Sequence, residues 1–285
     1  MTVHVYYIIV EAYMKTIKPF EELTFHDDFM FGIVMQDKET CRQALECLLG
    51  MQIDKIDYTM PQKAIDPLYA AHGIRLDVYV KDANTIYDVE MQNRDTGDIG
   101  KRSRYYQSMM DADLMLKGQQ YKTLRKTIII FICRFDPFKK GIPCYNITRM
   151  CRNDLELDIA DDAELKVFNC TAYEKVKDAS LRAFLKFIQT DTAETDITRR
   201  ICKMVETQKK KEGMSQFYLS WNLHDNDVKE EGREEGREEG REEGREETQL
   251  ETARNLLAMK VLSHEQIAQA VGLPIEKVRE LAAEL

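Results

Sequence analysis

The sequence predicts an α/β fold, a mixed β-sheet flanked by helices, followed by an α-helical C-terminal extension. Three observations carry this. Residues 73–80 and 86–92 alternate polar and apolar with period two, the mark of half-buried strands. The run Thr127-Ile128-Ile129-Ile130-Phe131-Ile132-Cys133 is continuously apolar, which suits a strand buried on both faces and so calls for helices on both sides of the sheet. Beyond residue 175 the pattern turns helical and rich in charge. The expected organisation is a core over residues 15–175, a helical extension over 176–229, a charged spacer over 230–247 and a small helix-turn-helix-like module over 248–285.

A chain of 285 residues can hold one substantial core plus an appendage. Its net charge of -9 is unevenly spread: residues 230–247 hold ten Glu and four Arg, which is -6 of the total and leaves -3 elsewhere. A nearly neutral body argues against avid non-specific nucleic-acid binding, which wants a strongly basic surface. The seven cysteines are odd in number and lack CxxC spacing, so reduced thiols, a cytoplasmic protein and no zinc site are expected. Residues 5–10 are apolar but too short for a membrane span, and no basic residue precedes them. Met14 is an alternative start, which would make residues 1–13 incidental.

Taken in order, Thr24 or Asp27 caps a helix running to Gly50, with a break near Asp37-Lys38. Residues 52–60 then read as a first strand closed by Pro61. After the two alternating runs, residues 93–100 form a loop and residues 101–118 a helix whose buried stripe is Tyr105, Met109, Ala112 and Leu116. Lys101, Arg102 and Arg104 crowd the start of that helix, where cations oppose its dipole. Such an end either holds a phosphate or is simply a solvated basic terminus. Asp136-Pro137 ends the apolar strand, residues 144–151 and 166–170 offer two more strands, and residues 181–188 and 197–212 read as helices.

Glu-Glu-Gly-Arg then repeats four times from Glu230 to Arg245. Glu-to-Arg pairs three apart add only ~0.2–0.5 kcal/mol each, while each Gly costs ~1 kcal/mol in a helix. A marginal, semi-rigid helical spacer follows. At the end, Ser263 with Gln266 forms a capping box, Gly272 fits a turn, and Leu273 with Val278 can join two helices. From residue 248 onward, Arg254, Lys260, Lys277 and Arg279 face five Glu, so a helical cap or protein-contact module fits better than a DNA-binding one.

The chemistry concentrates in the two alternating runs. If they close as a hairpin around Ala83-Asn84, Asp77 lies opposite Glu90, Arg75 opposite Gln92 and Tyr79 opposite Asp88. One face then collects Arg75, Asp77, Asp88, Glu90 and Gln92, and the other Leu76, Val78, Val80, Tyr87, Val89 and Met91. A slip of one residue would put carboxylates into the core, so the register is pinned. Like charges opposite each other need a counter-charge, which either Arg75 or a divalent cation can supply. An exposed sheet face with a structural salt bridge is the other reading.

Asp77 followed by Glu90-Met91-Gln92 resembles the D…(D/E)xK site of the PD-(D/E)xK nuclease superfamily. More narrowly, it resembles the transposase-like family of Rpn-type recombination-promoting nucleases, whose members carry Gln at the lysine position. Residues 25–31, 73–80, 88–92, 102–106 and 130–138 share the likeness, as does the Glu-Glu-Gly-Arg tail. The resemblance implies a restriction-endonuclease-like core and a metal-dependent DNA endonuclease used in recombination or transposition. It implies Mg²⁺, with Mn²⁺ as an alternative, held by Asp77, Glu90 and the Met91 carbonyl, and Gln92 orienting the attacking water.

It further implies an accessory acid on the first helix, the place Asp28 occupies unless Asp27 or Asp28 only caps that helix. Arg75, Arg102 and Tyr106 would contact DNA, and the helical C-terminal region would serve homo-oligomerisation. A catalytically silent DNA-binding or assembly protein that keeps the fold is the competing expectation.

Overall fold

The structure, a computed structural model, describes residues 17–65, 74–115, 118–259 and 261–283. Gly73, Leu116, Lys260, the apolar run at residues 5–10 and Met14 lie outside the described residues. Two compact units divide at Tyr218/Leu219.

The first unit opens with α1 (Asp28–Met35) and α2 (Lys38–Leu49). Asp37 separates them as the cap of α2, its Oδ1 accepting from the Thr40 N–H at 2.9 Å, and Gly50 ends α2 at φ 66°. Six strands follow, β1 (Tyr58–Ile65), β2 (Ile74–Lys81), β3 (Thr85–Gln92), β4 (Lys126–Cys133), β5 (Cys144–Ile147) and β6 (Ala163–Asn169), in the order β1-β2-β3-β4-β6-β5. β3, β4 and β6 run parallel to one another; β1-β2, β2-β3 and β5-β6 are antiparallel. The sheet is therefore mixed, as the sequence predicts.

Both faces of the sheet are buried. On one, Tyr79, Ile86, Ile129, Phe131 and Val167 cluster with Ile99, Met109 and Met110 of α3 (Ile99–Leu114). The opposite-parity residues Val78, Val80, Val89, Ile128, Ile130 and Ile132 are buried too, and α1 packs on β1 and β2. α4 (Ala179–Thr190) and α5 (Asp196–Lys209) pack against α2. α6 (Met214–Met259) begins in this unit, where Tyr218 meets Phe29 edge-to-face at 5.1 Å between ring centroids and its hydroxyl donates to the Lys18 carbonyl at 2.9 Å.

Three sequence expectations are corrected. The first strand is not residues 52–60 closed by Pro61: it runs from Tyr58 to Ile65 with Pro61 inside it, paired with Val78. β1 is an edge strand, so the missing proline N–H can face away from the sheet at no cost. The helix predicted over 101–118 starts earlier, at Ile99, and ends at Leu114. Its buried face is Ile99, Ser103, Met109 and Met110, and Ala112 is exposed. Ile99 and Met110 offer more apolar area than Ala112, and burying them rotates the helix accordingly. Finally, the strand expected over residues 144–151 stops at Ile147.

The second unit contains the rest of α6, α7 (His264–Val271) and α8 (Ile275–Ala283). Ala253, Ile267, Ala268, Val271, Val278 and Leu281 form its core. The predicted capping box is present: Gln266 N–H donates to Ser263 Oγ at 3.3 Å, and Ser263 N–H to Gln266 Oε1 at 2.9 Å. Gly272 takes φ 72° at the turn. The Glu-Glu-Gly-Arg repeat lies within the continuous α6.

Candidate functional site

The hairpin that carries the acidic residues closes on Asp82. Its Oδ1 accepts from the Asn84 and Thr85 N–H groups at 2.8 and 2.6 Å, and its Oδ2 from the Tyr87 hydroxyl at 2.8 Å. That turn fixes the register at Val78↔Val89 and Tyr79↔Asp88, the one expected from the sequence. The backbone pairing of β2 with β3 runs from Lys81↔Ile86 to Val78↔Val89, and beyond it the side chains take over. The Asp77 N–H donates to Glu90 Oε1 at 2.9 Å, and the Met91 N–H donates to Asp77 Oδ2 at 3.1 Å. The ladder thus opens just where the two carboxylates meet.

This face is not solvated, which corrects the reading of an exposed sheet face. Glu90 is 3% exposed and Asp88 0%, beneath α3. Burial, then the neighbouring Glu90 and Asp28 charges, raises the Asp77 pKa well above the usual carboxylate range, against the pull of the Met91 N–H and Arg75. Burial and then Asp88 raise Glu90; burial and then Asp77 raise Asp88. Asp88 and Glu90 share a side-chain hydrogen bond, and no other donor reaches the Asp88 oxygens. Buried Asp88 and Glu90 and half-buried Asp77 share one place, and none is comfortable as an anion there without added positive charge.

Part of that charge comes from α3. Arg102 holds its guanidinium 5.0 Å from the centre of the Phe131 ring and 5.9 Å from that of Tyr106. It pulls the pKa values of Asp88 and Glu90 down, and its Nε and Nη2 are buried without a hydrogen-bond partner. Burial and then Glu90 raise the Tyr106 hydroxyl. The crowded basic start of this helix thus turns one of its cations inward, onto the sheet.

Of the residues singled out from sequence, Asp77 and Glu90 meet directly, and Asp28, Arg75, Arg102 and Tyr106 all lie close enough to feel or shape their charge. Asp28 opens α1 without being its cap; Asp27 holds the N-cap position and turns its Oδ2 to Lys18 Nζ at 2.6 Å and the Thr24 N–H at 2.7 Å. Gln92 is half-buried at the end of β3, where its carbonyl accepts from the Arg134 N–H at 3.0 Å. Sequence reasoning placed Asp88 on this face but gave it no role. It missed Gln62, which donates through Nε2 to Asp77 Oδ1 at a long 3.4 Å.

Among the described residues, no three His, Cys, Asp or Glu side chains are grouped to hold a metal ion between them. The donors present are nevertheless hard carboxylate oxygens, buried together with a deficit of positive charge. That chemistry fits Mg²⁺, which needs one or two carboxylates and takes its other ligands from water and substrate phosphate.

The sequence model described as PD-(D/E)XK nuclease family transposase matches residues 25–248. The chain belongs to that family. No curated protein and no solved structure matched it. The mixed six-stranded sheet with flanking helices is the restriction-endonuclease-like core of a PD-(D/E)XK nuclease, with helices added at its C-terminal end. Among the described residues, no helix of this PD-(D/E)XK family member is long and apolar enough to cross a membrane.

Proposed function

We propose that the protein is a Mg²⁺-dependent DNA endonuclease that hydrolyses phosphodiester bonds in recombination or transposition. The observation that carries this is the meeting of Asp77 and Glu90 where the β2–β3 ladder opens. Asp77 and Glu90 would hold the ion, with Mn²⁺ as a substitute. The Met91 carbonyl is a further donor: in an extended strand the N–H and C=O of one residue point to the same side, and the Met91 N–H reaches towards Asp77 on β2. When bound, the ion supplies stabilisation of negative charge at the phosphate and acidifies water.

The chain's own groups do the rest. Gln92 orients the water through its amide, and Asp28 adds an acid beside Asp77. Arg102, half-buried beside the carboxylates, reaches a phosphate oxygen of DNA from the start of α3, helped by Arg75 and Tyr106. A guanidinium beside buried acids offsets their charge before substrate arrives and the phosphate's charge afterwards. The helical C-terminal region is proposed as a homo-oligomer contact, and the protein as cytoplasmic.

The competing reading, a catalytically silent DNA-binding or assembly protein, draws on Gln92, which supplies no cation where most of the superfamily has Lys. Supercoiled-plasmid cleavage separates them. In the enzyme reading, wild-type protein nicks plasmid with Mg²⁺, stops in EDTA, and Asp77→Ala is inactive. Cleavage that persists in Asp77→Ala would place the activity outside this site, and no metal-dependent cleavage by wild type would favour the silent protein.

A further inference from the structure

Gln62 sits in β1 between Pro61↔Val78 and Lys63↔Leu76, directly across the ladder from Asp77. Its φ is 53°, in the left-handed region that a residue with a side chain rarely enters, and within a strand it is out of place. The kink is held from below: a Cβ on Gly32 of α1 would come within 3.3 Å of Pro61 Cβ, so the helix is seated tightly against the preceding residue. The Gln62 side chain meets Asp77, with Nε2 3.4 Å from Oδ1. Its Oε1 is buried and has no hydrogen-bond partner. A buried amide oxygen left unpaired costs stability, and so does the backbone that puts it there. Both costs fall on one residue, beside the Asp77 carboxylate.

We propose that Gln62 is a positioning residue of the carboxylate site: its amide N–H fixes the Asp77 carboxylate, and its carbonyl oxygen is held free as a neutral acceptor for the hydration shell of a divalent cation. This rests on the reading of Asp77 and Glu90 as the cation's ligands. Gln in the left-handed region suits the task better than an acid would, because a further negative charge beside Asp77, Glu90 and Asp28 would repel them.

The test is calorimetric titration of the full-length protein with Ca²⁺, which binds without supporting turnover being needed, together with metal-free melting curves. Gln62→Gly relaxes the backbone and removes the amide, so metal-free Tm rises by about 2–4 °C while Ca²⁺ affinity falls about 10-fold. Gln62→Met keeps the length of the side chain but lacks the amide, so its Ca²⁺ affinity falls as far as that of the Gly variant. A merely structural kink would let Gly stabilise the protein with Ca²⁺ affinity unchanged, and that result overturns the proposal. So does a Met variant that binds Ca²⁺ as tightly as wild type, because side-chain bulk and not the amide would then matter. Asp77→Asn separates the two levels. If it abolishes Ca²⁺ binding while both Gln62 variants bind as wild type, only the role of Gln62 falls. If wild type binds no Ca²⁺, or Asp77→Asn binds like wild type, the assignment of the site and the role of Gln62 fall together.

Discussion

At the scale of single residues, Gln92 and Asp88 lie beside Asp77 and Glu90, the proposed ligands. Gln92 is not proposed to touch the ion, so Gln92→Ala should keep the metal-induced rise in Tm, which follows from ligand linkage. Its single-turnover cleavage at saturating Mg²⁺ should fall about 100-fold, the scale of a misoriented reactant. A rate equal to wild type would show that the amide does not orient the nucleophile. Asp88 is the most deeply buried acid of the three, and Glu90 is its one hydrogen-bond partner among the described residues. Asp88→Asn removes one like charge from the cluster with almost no change of shape, so the metal-free protein should melt higher than wild type. Differential scanning calorimetry checks this. A lower Tm would mean that the Asp88 charge is needed, for instance to hold Arg102. Asp88 was visible on the polar face of the hairpin in the sequence; its total burial was not, because burial there depends on α3 arriving from later in the chain.

At the scale of elements, the turn after β4 shows how much one carboxylate can organise. Asp136 accepts from the N–H groups of Phe138, Lys139 and Gly141 at 3.2, 3.0 and 2.6 Å and from the Tyr145 hydroxyl at 2.7 Å. Burial pushes its pKa up, but the Tyr145 hydroxyl and the three amides outweigh it, and the folded value is lowered. Between the folded and unfolded values the unfolded chain binds more protons, so this stabilisation is complete above the unfolded value of about 3.9 and is lost as pH falls through the folded one. Asp136→Asn should cost about 1–3 kcal/mol at pH 7. The gap to wild type in urea-unfolding stability should shrink below about pH 4; a gap independent of pH would mean that the charge contributes nothing. The sequence marked Asp136-Pro137 as the end of a strand. It did not reveal Tyr145, which comes back to Asp136 only because β5 returns antiparallel beside β6.

At the scale of the whole molecule, the first turn of α6 belongs to the nuclease core. Phe217 and Tyr218 lie 5.6 and 5.1 Å from the Phe29 ring, centre to centre, and among the described residues the sheet's apolar cluster draws on none beyond them. The second unit has its separate small core of α6, α7 and α8 residues. Truncation after Asn226 should therefore leave a cooperatively folding protein whose Ca²⁺-induced rise in Tm matches that of the full chain. Truncation after Gly213, which removes Phe217 and Tyr218, should lower Tm markedly, since it strips aromatic cover from Phe29. If the Asn226 truncation unfolds, the division into core and helical extension is wrong.

The alternation of residues 74–80 and 86–92, with a turn between, determined the hairpin, its register and the meeting of Asp77 with Glu90, because a period-two pattern admits one pairing that keeps charge out of the apolar face. The continuous apolar run of β4 likewise determined that the sheet is covered on both sides. Only the tertiary structure decided that the acidic face is closed over by α3, that Arg102 turns inward to it, and that Gln62 lies across from Asp77. The reason is physical. Local pattern reports which side of a strand faces a core, whereas pKa values, orphaned donors and strained backbone arise from groups brought together across long separations in the chain. Pro61 misled the reading for the same reason: a proline ends a strand unless the strand lies at an edge, and edges are a property of the whole sheet.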